Sequence, residues 1–444
     1  MITAESCKGH RLIDMRAGIC SQRCYDLISL DKQIMSPSYD RDTDFVYSRA
    51  KGVFVWDVCG NKFLDFAAGI AVMNAGHSNP EVIKAIKKQL KSGTHAAFPD
   101  FFAEVPVLFS ETLLSFLPSN FGRVFLSNSG TESIECALKL AKWHSGKKWL
   151  MAFTPCFHGR TMGSLSMTNS KPVQRQGFAP FLPVKHVPYP YTYRFKGEDE
   201  NECANASLSA VEKNFRSLDG KIAAIFFEPI NGEGGYIVPP KGFAKGLRKL
   251  CNEFDVLLCD DEVQSGCFRT GEFLALSNFG VTADIVSLSK SIGGGLPLGA
   301  TVAPRKIMEW PQGAHSNTFG GNLLSCAAGN AALNFMKKNH LAQNAKKVGS
   351  KMLKRLREMQ DDIEIVGDVR GMGLMIGVEL VESKKTKKPA VKTRGLVLQK
   401  CHEKGLIMLG AGKNVLRICP PLVLSLEQAM DGLDVLEECL KHSG

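Results

Sequence analysis

Several things are missing from this sequence. There are 14 cysteines in 444 residues, yet no two stand in the C-x-x-C spacing of zinc ribbons or dithiol redox motifs. Cys20 and Cys24 have no second ligand pair near them. Cys259, Cys267 and Cys326 lie among apolar or small residues, where a reduced thiol packs as a small hydrophobe. Neither a metal site nor a disulfide framework is expected. No run of eighteen apolar residues occurs, which argues against a membrane-spanning helix. The opening segment MITAESCKGHRLIDMRAGICSQRC has no hydrophobic signal core, and Glu5 and Asp14 speak against a transit peptide. The sequence reads as cytoplasmic. Internal repeats and low-complexity tracts are also lacking.

Charge is not lacking. Lys and Arg number 55 against 44 Asp and Glu, a formal net charge of +11. Much of the excess sits in KAIKKQLKSG, KKVGSKMLKRLRE and ESKKTKKPAVKTR. In the first, Ile83, Ile86 and Leu90 recur at helical spacing, so its lysines read as a solvated face. The third reads as a surface loop. No aromatic residue interleaves these runs, so nucleic-acid binding is not expected. An anionic small-molecule substrate accounts for the charge at least as well.

Short apolar runs alternate with helix-length segments through the middle of the chain: RVFLS, WLMAF, IAAIFF, VLLC, DIVSLS and ATVAP. That alternation predicts βαβ units and a mainly parallel sheet. NLLSCAAGNAALNFMKK predicts a long helix with small residues on its packing face. A large α/β domain is expected over residues 75–320. A smaller α+β domain would combine residues 1–74 with 321–444.

Within that frame one lysine is conspicuous. Lys290 follows the apolar run of DIVSLSKSIGGGLPLGA and precedes three glycines. A phosphate loop has the glycines first and the lysine at the helix start, so this order excludes one. A lysine at the mouth of a strand is instead suited to nucleophilic or proton-transfer chemistry. Other polar residues recur where strands end, the place at which open α/β sheets bind ligands. Ser129-Gly130-Thr131 opens a helix and offers free backbone N–H groups to an anion. Asp260, Asp261 and Glu262 end another run and would repel one another unless something cationic meets one of them. Glu228 and Glu233 lie in EPINGEGG, and TPCFHGRTMGS sets a histidine beside Arg160. Taken singly, each of these is as readily a capping turn or a surface loop.

Taken together, they are similar to one family. DDEVQSG followed by Lys290 twenty-nine residues after Asp261, with FHGRT, EPINGEGG and HSNTFGGN in order, resembles the class III, fold-type I aminotransferases that use pyridoxal 5′-phosphate (PLP). The likeness runs from GVFVWDVCGNKFLDFAAGIAV to NVLRICPPL. It implies a large domain with a mainly parallel seven-stranded sheet flanked by helices, beside a smaller α+β domain. It also implies a homodimer or a dimer of dimers, with amino acids and 2-oxo acids as substrates.

The resemblance assigns roles. Lys290 is implied to hold the cofactor's aldehyde and to shuttle a proton. Asp261 is implied to pair with the pyridine nitrogen, and Gln264 to lie near the phenolic oxygen. Gly130 and Thr131 match the phosphate turn, Phe157 the ring that stacks on the pyridine, and Thr318 a phosphate ligand given by the other subunit. Arg160 resembles the arginine for the distal carboxylate and Arg417 that for the α-carboxylate of glutamate. Glu233 matches the acid that neutralises Arg417 when an ω-amino acid is bound, and Glu228 falls among the substrate-site positions. Ile70 stands where ornithine aminotransferases carry a tyrosine, which weakens an ornithine reading and leaves an apolar wall suited to 4-aminobutyrate. The expected reaction is transfer of the amino group of an ω-amino acid, 4-aminobutyrate first, to 2-oxoglutarate. The alternatives are an ornithine or acetylornithine aminotransferase and a broad-specificity amino-acid racemase of the same family.

Overall fold

The computed structural model describes residues 12–13, 21–41, 43–197 and 199–443. Glu5, Asp14 and Cys20 of the opening segment lie outside the described residues. The chain divides into two compact units, one of residues 80–345 and one of the residues up to 79 together with 346 onward.

In the larger unit, seven strands form one sheet, in the order Arg123–Ser127, Gly299–Ala303, Ile285–Leu288, Leu257–Asp261, Ile222–Phe227, Trp149–Thr154, Val184–Pro188. All run parallel except Gly299–Ala303, which is antiparallel to both neighbours. The central strands IAAIFF and IVSL are buried at every position, because helices cover both faces of a parallel sheet and leave no polar side. Six strands coincide with the apolar runs read from the sequence. The seventh, VKHVP, is one of the two edge strands and is mostly only half-buried, and its lysine and histidine break the apolar run.

The Gly130–Ser145 helix buries Ile134, Ala137, Leu138 and Ala141 against this sheet. The Pro80–Leu90 helix forms as expected but turns Val82 inward, and leaves Ile83 and Leu90 exposed. The unit extends to Ala345, beyond the boundary at 320 drawn from the sequence. The reason is the Leu323–Lys338 helix, whose small residues let backbone meet backbone. A Cβ on Gly329 would lie 2.3 Å from the carbonyl oxygen of Ile292, and one on Gly294 2.8 Å from that of Ala328.

The smaller unit holds two four-stranded sheets. One comprises Tyr47–Lys51, Phe54–Asp57, Lys62–Asp65 and Leu406–Ile407; the other comprises Val366–Met372, Met375–Leu380, Val415–Ile418 and Leu409–Ala411. Directly after Asp65 the chain does something uncommon. Ala68, Gly69, Ile70 and Ala71 all adopt left-handed backbone, with φ of 47°, 60°, 65° and 58°. Each non-glycine residue so placed costs about 1–2 kcal/mol, and Ile70 is β-branched as well.

No helix among the described residues is long and apolar enough to cross a membrane. The described cysteines are free thiols, nearly all of them buried.

Candidate active site

The polar residues singled out in the larger unit stand at or just beyond the carboxyl ends of its parallel strands. Asp261 is the last residue of Leu257–Asp261 and is buried. Its Oδ2 lies 2.7 Å from His158 Nδ1, and its Oδ1 accepts from the Val263 amide at 3.1 Å. His158 is fully enclosed. Burial pushes its imidazolium down, but Cys156 and the Asp261 carboxylate outweigh burial and hold the pKa well above its ordinary value. Burial also raises the Cys156 thiol, against the opposing pull of His158. The site thus contains a buried imidazolium–carboxylate pair.

The two flanking carboxyls avoid the expected repulsion in another way. Strand alternation turns Asp260 away from Asp261. Burial, then Glu262 and Asp261, push Asp260 well up. Burial carries Glu262 to about 7 against the opposing hydrogen bonds from Ser265 Oγ (2.6 Å) and the Leu276 amide (2.9 Å). Both carboxyls are pushed toward the neutral form, which lowers the charge of the pair.

Lys290 lies two residues past the neighbouring strand Ile285–Leu288, half-buried, with a left-handed φ of 52°. A non-glycine residue in that region is a strained placement of the kind that gathers at functional sites. The glycines after it serve packing: Gly294 (φ 61°) is the close approach to Ala328 described above.

Ser129 caps the Gly130–Ser145 helix by accepting from the Glu132 amide. Gly130 and Thr131 form its first turn. There is no room for a side chain at Gly130, whose Cβ would stand 2.6 Å from Val263 Cγ1. Thr131 Oγ1 contacts the hydroxyls of Thr161 (2.8 Å) and Ser164 (2.7 Å). Gly159, at φ 131°, passes so close that a Cβ would meet Thr131 Oγ1 at 2.3 Å.

Glu228 follows the strand Ile222–Phe227 and is buried. Its oxygens accept from the amides of Phe157 (3.1 Å) and Gly232 (3.0 Å) and from Asn231 Nδ2 (3.2 Å). Burial raises its pKa to about 7. Both oxygens are engaged by the chain itself, so Glu228 ties the loop bearing Phe157 to the loop bearing Glu233. Arg160 is exposed and its guanidinium carbon lies 5.9 Å from the Phe157 ring centre. Glu233 forms an ion pair with Lys171 at 2.8 Å. Gln264 Oε1 accepts from Tyr236 Oη at 2.8 Å, and its amide nitrogen lies where a Cβ on Gly232 would be, 2.5 Å away.

Thr318 is exposed on a loop fastened from below. Asn317 donates to the Leu126 carbonyl at 3.0 Å, and Asn322 caps the helix that follows. The remaining two candidates belong to the smaller unit: Ile70 is 43 % exposed on the left-handed turn, and Arg417 is buried on Val415–Ile418, opposite Gly377.

The arrangement fits the cofactor implied by the resemblance. A buried carboxylate backed by an imidazolium suits a protonated ring nitrogen. The helix start with its side-chain-free Gly130 suits a phosphate, and the amine of Lys290 suits an aldehyde. Among the described residues no group of His, Cys, Asp or Glu is placed to hold a metal ion. The sequence reading gave no role to His158, Lys171 or Tyr236. The only signal for His158 was the unmatched charge of DDE, a request for a cation that the sequence could not locate.

Residues 35–440 match the family described as aminotransferase class-III. The leucine/methionine racemase of Thermococcus litoralis is 36 % identical over 397 residues, 88 % of this chain and 89 % of its own. The 5-aminovalerate aminotransferase of Pseudomonas aeruginosa is 36 % identical over 89 % of this chain and 93 % of its own. Among solved structures, an ornithine aminotransferase of Toxoplasma gondii with partial occupancy of PLP at its active site superposes with a TM-score of 0.84 at 30 % identity, covering 94 % of each chain.

Proposed function

The chain belongs to the class III aminotransferases, whose cofactor is PLP, and from that premise we propose that it moves the amino group of an ω-amino acid, 4-aminobutyrate first, to 2-oxoglutarate as a cytoplasmic homodimer. The observation that carries the chemistry is the buried His158–Asp261 pair on the strand adjoining that of Lys290. When bound, PLP supplies an electron sink for the substrate carbon that bears the amine. Asp261 would pair with the ring nitrogen, and His158 would hold the Asp261 side chain in place. Lys290 Nζ holds the cofactor and carries the proton to and from the reacting carbon. The Gly130 amide and Thr131 grip the phosphate, with Thr318 supplied by a second copy. Phe157 covers the ring face, and Gln264 meets the phenolic oxygen.

The ω-amino donor is supported by the likeness to an enzyme named for 5-aminovalerate, a donor with no carboxylate beside its amine. Arg160 grips the distal carboxylate and Arg417 the α-carboxylate of the oxo acid, since guanidinium binds carboxylates through two parallel hydrogen bonds. Ile70 is the apolar wall along the donor's chain. Glu233, paired with Lys171, is the acid of the substrate loop.

A second reading, amino-acid racemase, is favoured by the likeness to the leucine/methionine racemase. Two assays on protein supplied with PLP separate them. One offers 4-aminobutyrate and 2-oxoglutarate and measures glutamate; the other offers single L-amino acids without any oxo acid and follows optical rotation. Glutamate formation supports the aminotransferase. Loss of rotation without glutamate formation overturns it.

A further inference from the structure

The left-handed turn that carries Ile70 is costly, and its own burial does not repay the cost. Ile70 is 43 % exposed, and β-branched side chains tolerate this backbone region badly. Such strain persists only where the surroundings over-determine it, and it gathers where a side chain must be aimed. Here the surroundings can be named, and all of them belong to the smaller unit. Asp65 is buried at the end of Lys62–Asp65, and its Oδ1 accepts from two successive amides of the turn, Ala67 at 2.7 Å and Ala68 at 2.9 Å. Its Oδ2 is held by His77 Nε2 at 2.7 Å. His77 is itself fixed, because its backbone exchanges hydrogen bonds in both directions with Gly52, each 2.8 Å. On the far side, the Phe66 carbonyl accepts from the Cys419 amide at 2.8 Å and the Ala67 carbonyl from its thiol at 3.3 Å. Within the turn, the Ala68 carbonyl accepts from both Val72 and Met73.

We infer that Asp65 and His77 are positioning residues that hold the left-handed turn Ala68–Ala71, and so aim Ile70 to select the amino donor by the length of its apolar chain. This rests on the reading of Ile70 as a donor-site wall. The carboxylate holds two successive amides in one position and so fixes the peptide planes from which the left-handed residues depart. The imidazole N–H fixes the carboxylate's rotation, so the pair acts on the direction of Ile70 and takes no part in the proton transfers.

The test uses the full-length holoenzyme and two independent readouts. Amide hydrogen exchange over residues 62–77 reports the turn. The ratio of kcat/KM for 4-aminobutyrate to that for the shorter β-alanine reports donor selection. Asp65→Ala should speed exchange at Ala67 and Ala68 by about tenfold or more and shift the donor ratio by about fivefold or more, while the visible absorbance of bound PLP is kept. Asp65→Asn, which retains an acceptor, should stay near wild type in both readouts. Ile70→Gly, which accepts positive φ without strain, should keep slow exchange yet lose the donor ratio. If Asp65→Ala does not fold, His77→Gln carries the same test with a smaller effect on each readout. Unchanged exchange in Asp65→Ala or His77→Gln overturns the positioning role, and faster exchange with an unchanged donor ratio overturns the aiming of Ile70. If wild type takes no ω-amino donor, the substrate reading fails on its own. Exchange then still decides the positioning role, and the ratio is read on whichever amino acids the protein accepts.

Discussion

His158 Nδ1 stands 2.7 Å from Asp261 Oδ2 with both side chains buried. A buried pair of this kind is stabilising mainly in the sense that breaking it strands a charge. His158→Asn should therefore destabilise by about 3 kcal/mol or more at pH 6. The pH dependence has a definite sign. The folded pKa of His158 lies well above that of the unfolded chain, so its contribution is fully present below pH ~6.5 and is lost as pH rises through the raised value. The gap between wild-type and variant denaturation midpoints should be widest near neutrality and below, and should close in alkali. A gap that widens with pH would refute the imidazolium assignment.

Glu228 gives a second pH signature. Its pKa is raised to about 7 by burial, so the stability it contributes is present below the unfolded value near 4.5 and is lost as pH rises through about 7. In Glu228→Gln one acceptor becomes a donor facing a backbone amide, with an expected loss of ~1–3 kcal/mol when compared at pH 5.5. That deficit should shrink at pH 8.5, where wild type bears the cost of an ionised buried carboxyl. Chemical denaturation at the two pH values measures it.

Lys290→Ala should abolish the visible band of lysine-bound cofactor and lower turnover by at least about a thousandfold. The phosphate turn at Gly130 and Thr131 remains, so PLP should still be retained on gel filtration. A surviving lysine-linked band would mean that another lysine has been overlooked.

The two arginines should separate the half-reactions. Arg417→Ala should weaken the reaction with 2-oxoglutarate by roughly thirty-fold to a thousand-fold in kcat/KM, as losing a charge-assisted pair costs on the order of 2–4 kcal/mol. The 4-aminobutyrate half should suffer less, because that donor has no α-carboxylate. Arg160→Ala should impair both, since each substrate carries a distal carboxylate. Stopped-flow absorbance of the cofactor resolves the halves, and equal losses in Arg417→Ala would count against the assignment.

Gly159→Ala tests the packing behind the phosphate turn. The added Cβ would fall 2.3 Å from Thr131 Oγ1 and 2.5 Å from Ser164 Oγ, at a φ of 131°. No small rotation relieves both contacts, so Thr131 must move. We expect PLP affinity, measured by equilibrium titration, to fall about tenfold or more. Affinity equal to wild type would show that Thr131 does not bear on the phosphate.

Much of the architecture was legible from local pattern. Six of the sheet's seven strands coincide with short apolar runs, and the central ones are buried throughout, where apolar residues are favoured. VKHVP was not legible in this way, because it is half-buried at most positions and carries a lysine and a histidine among its apolar residues. The spacing of DDEVQSG, Lys290, FHGRT and HSNTFGG along the chain was equally plain, since motif spacing is a local property of the sequence. The membership of the Leu323–Lys338 helix was not plain, because its contact with Ile292 and Gly294 is a meeting of backbones that small residues permit but do not specify. Nor was the cation owed to DDE: His158 comes to Asp261 across 103 residues of chain, and only the folded sheet sets their loops side by side. The same holds for Glu228, which reads as a substrate acid and becomes a tie between loops once three donors surround it. AAGIAV carries no local sign of its left-handed course, at whose start Asp65, met by His77, accepts from two amides. The sequence by itself determined which residue types were available and in what order, because hydrophobic period and motif spacing are local. Tertiary structure alone decided which charge meets which and which backbone is held against its preference, because those energies depend on burial and on partners distant in the chain.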